Sequence, residues 1–310
     1  MTEIVAIGEP MIEFNQTVAG EPQYLQGFGG DTSNFAIAAA RQGARCAYVT
    51  RVGDDAFGRM FLNLWRREGV DVSAVGIDPG AFTAAYFVAH DASGHQFSFL
   101  RAGSAASKMT AQELPLPLIQ EARFLHVSGI SQAISASACD AVFAAIGAAR
   151  AAGAAVSYDS NLRLKLWPIA RARAIICETI RLSDYFFPSV DDAQALSDKR
   201  DPHAIVDWCF AHGARTVLLK LGEDGVLVAP KRHAERVHLP GHVVAAVDAT
   251  GAGDCFAGAL IARLAAGDDV LDAARYANAA AAITTMDFGA VAPIPTAQQV
   301  RALLNAERIQ

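Results

Sequence analysis

Cysteine is scarce in this chain and unpaired by spacing: Cys46, Cys139, Cys177, Cys209 and Cys255 lie far apart, with no C-x-x-C among them. Such a pattern supports neither a disulfide framework nor a zinc cluster, and a reducing cytoplasm is the expected location. Runs of Lys or Arg are missing too, and the net charge is −6, so neither nucleic acid nor an anionic membrane surface is expected as a partner. No apolar stretch reaches the length of a membrane span, because Arg, Asp or Gly interrupts the alanine-rich segments. The amino terminus runs straight into Ile4-Val5-Ala6-Ile7 without a basic leader, so no signal peptide is expected. Low-complexity tracts, repeats and Pro/Gly/Ser linkers are absent, which favours a single domain over residues 1–310. The histidines show no metal-ligand spacing. His126 lies in an apolar strand pattern and reads as core, whereas His233, His238 and His242 read as strand and loop surface.

What is present suits a large buried core, since 52% of the residues are apolar and 19% charged. Short β-branched or aromatic runs predict strands at Ile4 to Gly8, Cys46 to Val52, Phe124 to Val127, Val156 to Asp159, Tyr185 to Phe187, Thr216 to Leu219, Val226 to Val228 and Val243 to Val247. Helical patterns fall between them, at Thr32 to Gln42, Ala56 to Glu68, Ala136 to Ala152, Ile169 to Leu182, Pro202 to His212, Gly251 to Ala266 and Val270 to Met286. This alternation predicts an α/β sandwich with a mostly parallel sheet covered on both faces. Residues 10–28 and 82–101 break the pattern with shorter alternations, and Asp91-Ala92-Ser93-Gly94 is a hairpin signal. They predict a small antiparallel sheet that covers a cleft as a lid. Apolar alternation there, as in Ala85, Phe87 and Ala89, predicts a lid-to-lid homo-oligomer.

The most informative stretch is V-D-A-T-G-A-G-D-C-F from Val247 to Phe256. A glycine-spaced turn there opens a helix of small residues with Asp254 in its first turn. Backbone N–H groups at a helix N-terminus attract anions, so Gly251, Ala252 and Gly253 can cradle a phosphoryl group. Asp254 beside them can accept the proton of an attacking hydroxyl. Alone, these residues are equally consistent with a tight turn and a helix-stabilising acid.

A second motif, G-G-D-T-S-N from Gly29 to Asn34, opens another helix and is followed by Ala36, Ala39, Ala40, Arg41 and Gly43. The two signatures together resemble those of the ribokinase or PfkB-type family of ATP-dependent carbohydrate kinases, along essentially the whole chain. The resemblance implies a ribokinase-like three-layer α/β sandwich with a small antiparallel β lid. Asp31, Gln42 and Ala249 depart from the usual signature residues. By resemblance, Asp254 is the catalytic base, Gly251 to Gly253 form the anion hole, and Gly30 and Asn34 contact the substrate.

The same resemblance places ATP and Mg2+ on the other side of the turn. Lys220, Gly222 and Gly225 look like the family's K-x-G-x-x-G element beside the nucleotide. Ser189 and Asp192 stand where relatives carry N-x-x-E, so Asp192 is the candidate magnesium partner through water. Asn161 and Arg163 of an N-x-R element are implied phosphate contacts, and Asn278 is placed near the adenine. Several segments, among them F-L-R-A-G-S at 99–104, resemble members that act on 2-keto-3-deoxygluconate. A sugar acid needs a cation with paired donors, and Arg101 and Arg163 are suited to it. Tyr86 and position 99 are the remaining implied substrate contacts, although Phe99 stands where a tyrosine often donates a hydroxyl. Asp287 is a further possible contact. The open alternatives are a fructokinase or ribokinase acting on a neutral sugar, a dinucleotide-binding dehydrogenase, and a non-catalytic sugar sensor. G-E-P-M after the first strand counts against the dehydrogenase.

Overall fold

The computed structural model describes residues 2–91, 94–232 and 235–307. The central tips of the expected 91–94 hairpin, Ala92 and Ser93, and His233 lie outside the described residues. The strands are β1 (Ile4–Ile7), β2 (Met11–Gln16), β3 (Tyr24–Gly29), β4 (Cys46–Gly53), β5 (Val75–Asp78), β6 (Ala85–Asp91), β7 (Gly94–Leu100), β8 (Phe124–Ser128), β9 (Ala155–Asp159), β10 (Tyr185–Phe187), β11 (Thr216–Lys220), β12 (Val226–Pro230) and β13 (Val237–Leu239). The helices are α1 (Asp31–Arg41), α2 (Ala56–Arg67), α3 (Leu116–Glu121), α4 (Gly129–Ala133), α5 (Ala136–Ala151), α6 (Ile169–Leu182), α7 (Val190–Ser197), α8 (Pro202–Ala211), α9 (Ala252–Ala266), α10 (Val270–Thr284) and α11 (Ala297–Glu307).

The nine-stranded sheet runs β13-β12-β11-β10-β9-β8-β1-β4-β5, parallel from β11 through β5 and antiparallel at its β11-β12-β13 edge. Both faces are buried, which is why its strands read as continuous apolar runs. Along β1, Ile4 and Ala6 face a core shared with α1, α9 and α10, whereas Val5 and Ile7 face one shared with α5, α6 and α8. From β1 the chain leaves to β4 on one side and β8 on the other. That switch point opens a crevice at the carboxyl ends of the strands, where ligands of such sheets bind.

Local chemistry sets the helix ends. Asp55, Ser135, Ser189, Asp201 and Asp269 each accept an amide hydrogen in the first turn of the helix that follows, and Pro202 fixes the start of α8. Helix α7 lies outside the helices expected from sequence, although Ser189 is its cap. The expected strand at Val243 to Val247 does not form. Val243 is fully exposed, the Ala246 amide turns back onto the Val244 carbonyl, and the Val247 and Asp248 amides both donate to the Thr285 carbonyl rather than to a neighbouring strand. Its place at the sheet edge is taken by β13.

The lid is a four-stranded sheet ordered β3-β2-β6-β7. It is mixed, because β2 and β6 pair in parallel, whereas an all-antiparallel lid was expected. The physical reason is connectivity: β2 and β6 each leave the main sheet in the same direction, and the intervening segment returns through β4, α2 and β5.

Helices α1 and α9 lie unusually close, and Gly258 permits it. A β-carbon there would stand 2.5 Å from the Phe35 carbonyl oxygen and 2.8 Å from the Ala38 β-carbon. Gly258→Ala is therefore expected to destabilise the protein by about 1–3 kcal/mol through overpacking. Urea unfolding checks this, and an unchanged midpoint would contradict the close contact.

Candidate active site

A cleft of about 1740 Å³ runs between the sheet's carboxyl edge and the lid. At its centre, Gly251 takes φ 78 and α9 begins. A side chain at Gly251 would be strained in that conformation and would press on the Ala290 carbonyl at 2.8 Å. The Ala252 amide donates to the Ala249 carbonyl at 3.2 Å and so closes the turn. Among the described residues, the amides of Gly251, Gly253 and Asp254 have no partner in the chain, which leaves an open cradle for an anion. Ala252, expected in the cradle, contributes to its shape rather than lining the cleft.

Asp254 accepts a hydrogen bond from the Asn34 side-chain amide at 2.9 Å. Burial, followed by the charge of Asp31, raises its carboxyl to about 8; Asp159 adds to the rise, while Asn34 and Lys220 oppose it. A carboxylate tuned to that range can take a proton from a hydroxyl and return it to solvent. Asn34 is buried, and its carbonyl oxygen Oδ1 has no partner within the chain. Gly30 takes φ 107, and a β-carbon there would meet the Glu9 carbonyl at 2.4 Å, so only glycine lets the chain turn into α1 beneath the lid.

On the lid side, Tyr86 donates its hydroxyl to Glu13. Arg101 donates to Glu9, which also accepts from the Ser104 hydroxyl at 3.1 Å. Burial pushes the Glu9 and Glu13 carboxyls above their ordinary value, against the opposing effect of Arg101 on Glu9 and of the Tyr86 bond on Glu13. Arg101 was expected to wait for a substrate carboxylate, yet it already has an internal one; its Nε remains buried without a partner. Phe99 is exposed, its ring tilted against Tyr86 at 5.9 Å and lying under the Arg101 guanidinium at 5.6 Å.

At the opposite end, Lys220 closes β11 and pairs with Asp159 at 2.6 Å. Asn161 has φ 32 and donates to Asp31 at 2.9 Å, so its side chain braces the acidic centre. Arg163 lines the cleft and donates to the Leu162 carbonyl at 2.9 Å. Asp192 accepts from the Ser160 hydroxyl at 2.9 Å and the Leu162 amide at 3.0 Å through Oδ2, and the Ser189 hydroxyl accepts its amide hydrogen. Its other oxygen accepts no hydrogen bond among the described residues. Gly222, Gly225 and Asn278 do not line the cleft. Gly225 abuts Leu239 and Gly241, and Asn278 is buried and donates to the Pro240 carbonyl at 2.7 Å; they shape the wall that the 240–247 segment leaves. Asp287 accepts from the Phe288 amide and also lies off the cleft, although Phe288 and Gly289 line it.

The cleft thus gathers Gly30, Asn34, Tyr86, Phe99, Arg101, Asn161, Arg163, Ser189, Asp192, Lys220, Gly251, Gly253 and Asp254. Sequence reasoning passed over Glu9, Glu13 and Asp159. Glu9 and Asp159 are acids at or just beyond the end of an apolar strand, and that position at the carboxyl edge of a parallel sheet is the signal that would have found them, whereas Glu13 lies inside lid strand β2.

The pfkB family carbohydrate kinase profile matches residues 1–297. This chain belongs to that family. The kinase is 36% identical to the 2-dehydro-3-deoxygluconokinase of Thermoproteus tenax over 99% of this chain and 95% of that protein. It is 35% identical to the probable fructokinase-3 of Arabidopsis thaliana over 98% and 92% respectively. A putative ribokinase II from E. coli, solved with ATP and Mg2+, superposes with a TM-score of 0.90 at 26% identity and covers 99% of this kinase and 100% of that chain. The fold is accordingly the ribokinase-like α/β arrangement, and the activity is ATP-dependent phosphorylation of a sugar.

For this kinase, kcat/KM should rise with pH and level off above about 8, because Asp254 is protonated below that value and basic above it. Asp254→Asn should lower kcat by about 10²–10⁴-fold while sugar binding persists. A flat profile, or a variant of normal turnover, would remove Asp254 as the base.

Proposed function

We propose that the kinase transfers the γ-phosphate of ATP to the primary hydroxyl of 2-keto-3-deoxygluconate, giving 2-keto-3-deoxy-6-phosphogluconate. One observation carries this reading: Arg101 lines the same cleft as the Asn34–Asp254 pair, and its Nε has no partner within the chain. A guanidinium is a permanent charge with paired donors for a carboxylate. The relative from Thermoproteus tenax supports it.

The residues divide the work by position. Asn34 orients the Asp254 carboxylate, and its free Oδ1 can accept from a sugar hydroxyl. The substrate hydroxyl loses its proton to Asp254 as its oxygen bonds to the γ-phosphorus, and the bond to the bridging oxygen of ADP breaks. The Gly251, Gly253 and Asp254 amides face the charge that develops on the transferred group. Arg163 and Asn161 stand on the nucleotide side. Among the described residues no set of three His, Cys, Asp or Glu side chains could hold a metal unaided. Asp192 offers a hard oxygen that fits magnesium held jointly with the ATP phosphates. The ion would offset phosphate charge.

A fructokinase is the second reading. Glu9 already neutralises Arg101, and Phe99 offers no hydroxyl, which favours a neutral sugar; the relative from Arabidopsis thaliana agrees with it. Residues 1–310 are read as one kinase domain with the lid inserted, in a reducing cytoplasm that suits its free cysteines. Tyr24, Leu25, Phe97 and Leu100 expose apolar surface on the lid, so a lid-to-lid dimer is part of the proposal.

Turnover with ATP across a panel of keto-deoxy sugar acid, fructose and ribose tests the substrate. The sugar acid should lead in kcat/KM by about 100-fold, and Arg101→Met should erase most of that lead. A preference for fructose that survives Arg101→Met would establish the second reading. The dimer is checked separately by light scattering, where a monomeric mass at micromolar concentration would refute it.

A further inference from the structure

We infer that Lys220 is a catalytic residue that contacts the transferred γ-phosphoryl group, and that Asp159 is the positioning residue that aims it. This rests on the ATP-dependent kinase reading but not on which sugar accepts the phosphate. The resemblance placed Lys220 only beside the nucleotide; the geometry points to the reacting end.

The ammonium lies at the anion cradle itself. A β-carbon built at Gly253 would stand 3.1 Å from Lys220 Nζ and 3.8 Å from its Cδ and Cε, so the end of the lysine lies along that glycine. This gives Gly253 a reason beyond chain flexibility, since any side chain there would push the ammonium out of the cradle. Lys220 also ends β11, whose amide is fixed by the Pro188 carbonyl at 2.9 Å. The stem therefore starts from a rigid strand rather than a loop.

Asp159 holds the head in place. Its Oδ2 accepts from Nζ at 2.6 Å, and its Oδ1 accepts from the Asn161 amide at 3.1 Å. Both oxygens of the carboxylate are thus committed. The pair is largely buried, at 17% and 5% side-chain exposure, so its charges act at short range with little screening. Among the described residues, Asp159 is the only hydrogen-bond partner of Nζ. Two of the three ammonium donors remain for a ligand.

The surrounding charge demands such a cation. Asp31 and Asp159 both act on Asp254, which would otherwise meet a polyanionic nucleotide in a cleft dominated by carboxylates. An ammonium has three donors on a flexible stem, so it can follow a phosphoryl group as it moves from ATP to the sugar oxygen. A residue that served nucleotide binding alone would contact groups shared by ATP and ADP. Lys220 beside Gly253 would contact the phosphate that only ATP carries.

The full-length protein and its Lys220→Met variant are compared for turnover, and for binding of ADP and of a non-hydrolysable ATP analogue by calorimetry with magnesium present. Lys220→Met should lower kcat by about 10²–10³-fold. It should weaken the analogue by about tenfold and leave ADP within about twofold. Turnover within about threefold of wild type, or equal weakening of ADP and analogue, would overturn the proposal. Where the single variant leaves buried Asp159 unpaired and does not fold, Asp159→Asn with Lys220→Met removes both charges and carries the same comparison. Asp159→Asn alone should show the same selective loss for the analogue in weaker form. A loss of thermal stability without that selectivity would reduce Asp159 to a structural partner and overturn its assignment. A wild-type protein that phosphorylates no sugar would overturn the kinase reading, while the analogue and ADP affinities would still decide the role of Lys220.

Discussion

The hydrogen bond from Asn34 to Asp254 joins residues 220 positions apart, and the site depends on it. It can form only because α1 and α9 pack backbone to backbone at Gly258, with Phe35 and Ala38 opposite. The alanine-rich composition of both helices follows from the same need. Large side chains at this crossing would separate the sugar-side turn at Gly30 from the phosphoryl cradle at Gly251. Close packing here fixes the distance between acceptor and donor ends of the cleft.

Charge balance is the second constraint. The cleft places Glu9, Glu13, Asp31, Asp159, Asp192 and Asp254 within one concavity. Most are satisfied by named partners: Arg101 and Ser104 for Glu9, Tyr86 for Glu13, Asn161 for Asp31, Lys220 for Asp159, Ser160 and Leu162 for Asp192. Among the described residues Asp254 has only the neutral Asn34 amide as a hydrogen-bond partner, and burial together with the charge of Asp31 gives it the high proton affinity that a base for a hydroxyl needs. A guanidinium or ammonium bonded directly to it would make it a weak base.

The sequence was legible where one rule decided the outcome. Buried parallel strands showed as apolar runs, and the helices read from Ala56 and from Pro202 begin at those residues. The glycine turns carried the two ends of the reaction. Reading failed where tertiary context decided. Val243 to Val247 has the composition of a strand but forms no strand ladder and is largely solvent-facing, and β13, of only three residues, is defined by its pairing to β12. Gly225 belonged to a recognised pattern and Asn278 was placed near the adenine by resemblance, but their contacts at Gly241 and Pro240 were invisible in the sequence. Asp31 showed in the sequence as a departure from the family's signature. Its meaning, a charge that acts on Asp254, required the fold that brings α1 and α9 together.

The sugar end shows how partner chemistry bears on specificity. Arg101 alone would be an attractive site for a carboxylate, but the fully buried side chain of Glu9 already occupies it. An incoming sugar carboxylate beside that pair would place two negative charges around one guanidinium. Burial already favours the protonated form of Glu9, and a second anion would favour it further. A neutral sugar would add no charge beside the ion pair. The proposed choice between an acidic and a neutral sugar therefore turns on Glu9 as well as on Arg101.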